Sequence, residues 1–119
     1  MKIAITSKGR GLDAQVDPRF GRASYIIVVD TDTKEFEVID NENNKNAFKG
    51  AGIQAASSIS EKGAKVLLTG FCGPNAFKTL DAAGIKVAND ADGTVSGVIE
   101  QFNKGKFTYA DGANVDGHW

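Results

Sequence analysis

Cysteine is almost missing from this chain: Cys72 is the single one in 119 residues. That excludes an internal disulfide framework and fits a reducing compartment. Histidine is as scarce, with His118 alone, and no Gly-x-Ser-x-Gly elbow occurs, so nucleophilic catalysis has little to work with. The first apolar strand segment, Lys2–Thr6, carries no carboxylate, which speaks against a two-metal nuclease centre. No long hydrophobic run exists either. The longest, Ile26–Val29, falls far short of the ~20 residues of a membrane span. Met1-Lys2-Ile3-Ala4-Ile5 lacks the apolar stretch and small-residue cleavage site of a leader, so the expectation is a cytoplasmic protein. Charge of neither sign dominates. With 14 basic and 15 acidic side chains the formal net charge is −1, too balanced to draw the whole molecule to nucleic acid or an anionic membrane.

What is present suits one globular domain. The hydrophobic fraction is 41% and the charged fraction 24%, ordinary values for a folded chain of this length. Lys2–Thr6 reads as a strand, followed by a long ordered loop over residues 7–24 that holds Gly9, Gly11, Pro18 and Gly21. Tyr25–Asp30 and Glu35–Asp40, rich in β-branched and aromatic residues, read as an antiparallel hairpin. Asn41–Lys49 is a second, polar loop. Gly50-Ala51-Gly52 leads into a helix with Ile53, Ala56 and Ile59 on its apolar face and Gly63 at its end. Val66–Leu68 is a buried strand. Pro74 opens a second helix carrying Ala76, Phe77, Leu80 and Ala83, and Ile85–Ala88 is the last strand. A third helix begins near Asp92–Thr94, with Val95, Val98, Ile99 and Phe102 matching helical spacing. Strand–helix–strand alternation forces parallel neighbours with helices on the sheet faces. The expectation is an α/β fold with a mixed sheet spanning residues 1–108, followed by a polar, flexible tail over 109–119.

Several segments could carry chemistry. Gly9-Arg10-Gly11-Leu12-Asp13-Ala14 fits a dinucleotide fingerprint, with Asp30 further on. That fingerprint needs a helix directly after the glycines, and Pro18 and Gly21 interrupt one, so a plain glycine turn is the better reading. Asp17-Pro18-Arg19-Phe20-Gly21-Arg22 sets two guanidiniums beside an aromatic, a pattern suited to a large diffuse anion. The competing reading pairs Arg19 or Arg22 with Asp13 or Asp17 to pin the loop. Gly50-Ala51-Gly52 and Gly70-Phe71-Cys72-Gly73-Pro74 each deliver a helix N-terminus beyond the sheet's carboxyl edge, where ligands bind in parallel sheets. Their glycines read either as room for a bulky ligand or as ordinary turn chemistry. Cys72, at a helix start, reads as a thiol of lowered pKa able to ligate a soft metal, or as a small buried hydrophobe. His118 and Trp119 fall in the tail without a partner pattern.

Taken together, Asp17-Pro18-Arg19-Phe20-Gly21-Arg22-Ala23, Gly50-Ala51-Gly52, Thr69-Gly70-Phe71-Cys72-Gly73-Pro74-Asn75-Ala76-Phe77 and Ala83-Gly84-Ile85-Lys86-Val87 resemble the dinitrogenase iron–molybdenum cofactor biosynthesis family over about residues 2–105. The resemblance implies a ribonuclease H-like α/β/α fold with a five-stranded mixed sheet and three helices. It also implies one cofactor-binding face lined by Arg19, Phe20, Gly21, Arg22, Gly50, Gly52, Gly70, Phe71, Cys72, Gly73, Pro74 and Asn75, with Cys72 as the one candidate metal ligand. Many members carry histidine where this chain has Phe71, which shifts the expected contacts to packing, hydrogen bonds and charge. The implied function is non-catalytic storage or carriage of a molybdenum–copper sulfide cluster held without covalent bonds. Alternatives are carriage of iron–molybdenum cofactor or its precursor, and a protein-interaction module. A cluster-receiving protein is the implied partner, with no nucleic acid and no membrane.

Overall fold

The strand β1 (Lys2–Ser7) is buried at every position but its first, as a central strand covered on both faces must be. In a computed structural model describing residues 1–42 and 50–112, it lies between β2 (Tyr25–Asp30), antiparallel to it, and β4 (Val66–Leu68), parallel to it. With β3 (Phe36–Asp40) beyond β2 and β5 (Lys86–Ala88) beyond β4, the order is β3-β2-β1-β4-β5. The β2–β3 turn is closed by Asp30, whose Oδ1 accepts the Asp32 N–H at 2.8 Å, while Lys34 takes φ 66.

Three helices cover this sheet among the described residues: α1 (Ala51–Glu61), α2 (Pro74–Ala82) and α3 (Val95–Asn103). Alternation along the strands sorts the core into two layers. Ala4, Ile26, Val28, Leu67 and Val87 face Ala55, Ala56 and Ile59 of α1 and Ala76 and Leu80 of α2. Ile3, Ile5, Ile27, Val29 and Leu68 face Val95 and Val98 of α3. Burying each large aliphatic side chain contributes about 1.5–3 kcal/mol. The mixed five-stranded sheet and the α/β/α layering are those expected from the sequence.

Two local expectations change. Ile53 is exposed, because it sits about 120° around the helix from Ile59, while Ala55 and Ala56 flank the inward direction. Ala83, assigned to an apolar face, caps α2 and is exposed. Beyond residue 108 the chain still touches the sheet, since the Ala110 N–H donates to the Val87 carbonyl at 2.7 Å. The expected polar loop lies outside the described residues from 43 to 49, as does the tail from 113, with His118 and Trp119. No helix among the described residues is long and apolar enough to cross a membrane.

Candidate functional site

At the carboxyl ends of β1 and β4, two buried threonines staple the long loop after β1 to the sheet. Thr6 Oγ1 donates to the Asp17 carbonyl at 2.5 Å and lies 2.9 Å from Thr69 Oγ1. A hydroxyl has one proton to give, so Thr69 donates to Thr6. The Asp17 N–H returns a bond of 3.0 Å to the Thr6 carbonyl. Before Asp17 the loop serves α3: the carbonyls of Leu12 and Ala14 accept the N–H groups of Ser96 at 2.8 Å and Val95 at 2.9 Å. Thr94 Oγ1 accepts from Gly97 at 3.1 Å. The first-turn amides of α3 are thereby consumed within the chain.

After Asp17 the loop turns to the other face. The Pro18 carbonyl accepts from Gly70 N–H at 3.1 Å and Phe71 N–H at 2.5 Å, and Phe20 N–H donates to the Phe71 carbonyl at 3.0 Å. Arg19 and Phe71 thus form a single parallel bridge. Gly21, at φ +92, runs so close to α1 that an added Cβ would stand 2.8 Å from the Gly52 nitrogen. A Cβ on Gly52 would meet Ala76 Cβ at 2.7 Å, and one on Gly70 would meet Pro18 Cβ at 2.7 Å. The segments around Arg19–Arg22, Gly50–Gly52 and Gly70–Asn75 therefore meet at one edge of the sheet. Of the two readings of the junction glycines, these contacts favour the structural one at Gly52 and Gly70, whose missing Cβ atoms make room for neighbouring chain, as does that of Gly21 in the loop. Beside Gly50, at φ +83, no described residue comes within 4 Å of an added Cβ.

The polar character of this edge is positive in its local dipoles. The N-caps of α1 and α2 are Gly50 and Gly73, with no side-chain cap and no acidic residue in either first turn. Pro74 at the start of α2 and Asn75 are exposed, and Gly73 is half-buried. Helix N-termini of this kind favour anions. Arg19 is exposed, and its Nε lies 3.6 Å from Asp17 Oδ1; Asp17 itself is buried. The loop-pinning pair weighed from the sequence is thus formed by these two. Arg22 is half-buried, and its N–H donates to the Arg19 carbonyl at 3.2 Å. Phe71, 37% exposed, adds an apolar wall.

Two candidate residues change role. Phe20 is 2% exposed and packs with Ala55, Ala76 and Cys72 in the core, so its ring holds the loop down and presents no face to a ligand. Cys72 is fully buried in the same layer, and burial pushes its thiol up to about 12. The expected lowering by the α2 terminus is overridden by desolvation of the thiolate. Among the described residues no group of three or more His, Cys, Asp or Glu side chains is placed to hold a metal ion.

A family model described as dinitrogenase iron-molybdenum cofactor matches residues 1–105. The chain belongs to that family. Its fold superposes on the apo form of the orange protein from Desulfovibrio gigas with a TM-score of 0.92, at 48% identity over 96% of both chains. A Thermotoga protein solved by NMR under the name NifB gives 0.80, at 38% identity over 91% of both. A Methanocaldococcus jannaschii protein at 17% identity, with a TM-score of 0.70 over 94% of this chain and 96% of its own, shares the fold. No curated protein matches the chain.

For this member of the dinitrogenase iron–molybdenum cofactor family, the positioning roles of Asn41, Thr6 and Thr69 at the site emerge only from the structure. Asn41 is buried, and its Nδ2 donates to the carbonyls of Gly21 at 3.1 Å and Ala23 at 2.8 Å, fixing the second half of the loop. Thr6 and Thr69 gave only the signal of a hydroxyl at the end of an apolar strand.

Proposed function

We propose that this family member stores or carries an anionic molybdenum-containing metal–sulfur cluster, a mixed molybdenum–copper sulfide being the favoured cargo, and performs no covalent chemistry on it. The observation that carries this reading is the contact of three loops at one edge, through the Arg19–Phe71 bridge and the Gly21–Gly52 approach. What supports it further is that the loop carrying the exposed Arg19 meets the starts of two helices whose N-caps, Gly50 and Gly73, supply no side-chain cap. The donor set suits an anion held by charge and hydrogen bonds. A sulfide-faced cluster is large, polarisable and weakly hydrated, which matches guanidinium and backbone N–H donors. Burial pushes the Cys72 thiol up to about 12, which supports a donor set built on guanidinium and backbone N–H groups over a thiolate. The likeness to the orange protein supports a cluster-binding or carrier role, and the loop motifs quoted from the sequence favour the molybdenum–copper cargo over iron–molybdenum cofactor or its precursor. The family match keeps the precursor as the second reading. A receiving protein is the partner such a carrier requires.

The test is titration of the purified protein with tetrathiomolybdate and copper, followed by visible absorption and elemental analysis. Stoichiometric uptake is expected. Combined Arg19→Ala and Arg22→Ala should weaken it about tenfold or more. Its salt sensitivity should also shrink, because screening tightens from about 10 Å at 0.1 M to about 3 Å at 1 M salt. Loss of uptake in Cys72→Ser, with the arginine pair dispensable, would instead show thiolate ligation.

A further inference from the structure

The site carries a negative charge that an anionic cargo does not call for. Asp17 is 4% exposed and lies next to the Arg19 guanidinium. Its Oδ1 makes two contacts: it accepts the Arg19 N–H at 3.0 Å and lies 3.6 Å from Arg19 Nε. The first contact builds the turn, and a neutral amide oxygen would serve it equally well, since asparagine forms the same turn. The second contact requires the charge. A carboxylate taken out of water is unfavourable without such a partner, so Arg19 is held on Asp17 when nothing else engages it. We infer that Asp17 is an affinity-setting residue of the cargo site, a built-in counter-anion that competes for Arg19 and speeds release. The inference rests on the cluster-binding reading above.

The electrostatics give it a signature. An anion's interaction energy with the site's potential scales with its own charge. Removing the Asp17 charge raises that potential by a fixed amount. The binding constant of a dianion should therefore rise by the square of the factor found for a monoanion of the same shape. When Arg19 re-pairs with Asp17 as cargo leaves, the gain falls mostly on the dissociation rate.

Tetrathiomolybdate, a dianion, and tetrathioperrhenate, a monoanion, are both tetrahedral and sulfur-faced, and serve as probes. Asp17→Asn keeps the acceptor for the Arg19 N–H while deleting the charge. Asp13→Asn, at an exposed position of the same loop, is the control. Calorimetric titration at low salt should show Asp17→Asn strengthening tetrathiomolybdate by about tenfold and tetrathioperrhenate by about threefold. Dissociation of the dianion, read by stopped-flow absorption, should slow in proportion, and Asp13→Asn should change neither. A folded Asp17→Asn, verified by circular dichroism, that binds both probes no more tightly than wild type overturns the inference. So does equal strengthening of both probes, which would mark a steric cause. Failure of the wild type to take up tetrathiomolybdate, with or without copper, instead removes the cluster-binding reading and this inference with it.

Discussion

A thiol with a pKa pushed up to about 12 stays protonated wherever the protein is folded near neutrality. Cys72 should accordingly resist alkylation by iodoacetamide at pH 8 in the native protein and react within minutes in denaturant, as mass spectrometry would record. The same shift links stability to alkaline pH. The folded-state value lies above the unfolded one, so the contribution is complete below about 9 and is lost as pH rises towards about 12. Across that window wild type should lose stability relative to Cys72→Ser by up to about 1.4 kcal/mol per pH unit, measured by urea denaturation. Rapid native alkylation would place the sulfur at the surface and return it to the list of ligands.

Between elements, two glycines with similar backbone angles separate conformational from steric demand. Gly50, φ +83, has no described residue within 4 Å of an added Cβ, whereas Gly21, φ +92, would drive one to 2.8 Å from the Gly52 nitrogen. Gly50→Ala should destabilise by about 1–2 kcal/mol, the strain of the left-handed region alone. Gly21→Ala must also part the loop from α1, and should cost about twice as much or more. Chemical denaturation of the two variants tests the difference, and equal losses would mean that the loop yields freely. Asn41→Ala removes both bonds to the Gly21 and Ala23 carbonyls, a loss of about 1–3 kcal/mol.

These particulars show where sequence reasoning reached its limit. The strand and helix order was legible because apolar runs alternate with Gly63, Gly84 and Pro74, each of which ends or starts an element. The two helix junctions were legible for the same reason. Phe20 was misjudged because nothing within Asp17–Arg22 tells a buried ring from an exposed one; the packing of α1 and α2 decides it. Asn41 escaped because its partners lie 18 and 20 residues earlier in the chain. For Cys72 the structure selects the buried-hydrophobe alternative, a choice the sequence leaves open because helix proximity is local and visible, whereas desolvation is a property of the whole core layer.

For the molecule as a whole, a net charge of −1 provides no long-range pull on an anion, so the proposed attraction would act only within reach of one edge. At that edge the chain treats its two faces differently. The carbonyls of Leu12 and Ala14 fill the start of α3, while the N-caps of α1 and α2 are glycines that supply no capping side chain. In the proposed carrier this asymmetry would give loading and unloading a direction, with a receiver approaching over the α1–α2 side. Because Cys72 is buried, a thiol introduced at an exposed position can be tagged selectively. A bulky maleimide on Asn75→Cys should slow metal delivery to an acceptor severalfold relative to the untagged variant, whereas one on Gln101→Cys, on the outer face of α3, should leave the rate unchanged. The molecule would then be a dock with a single berth.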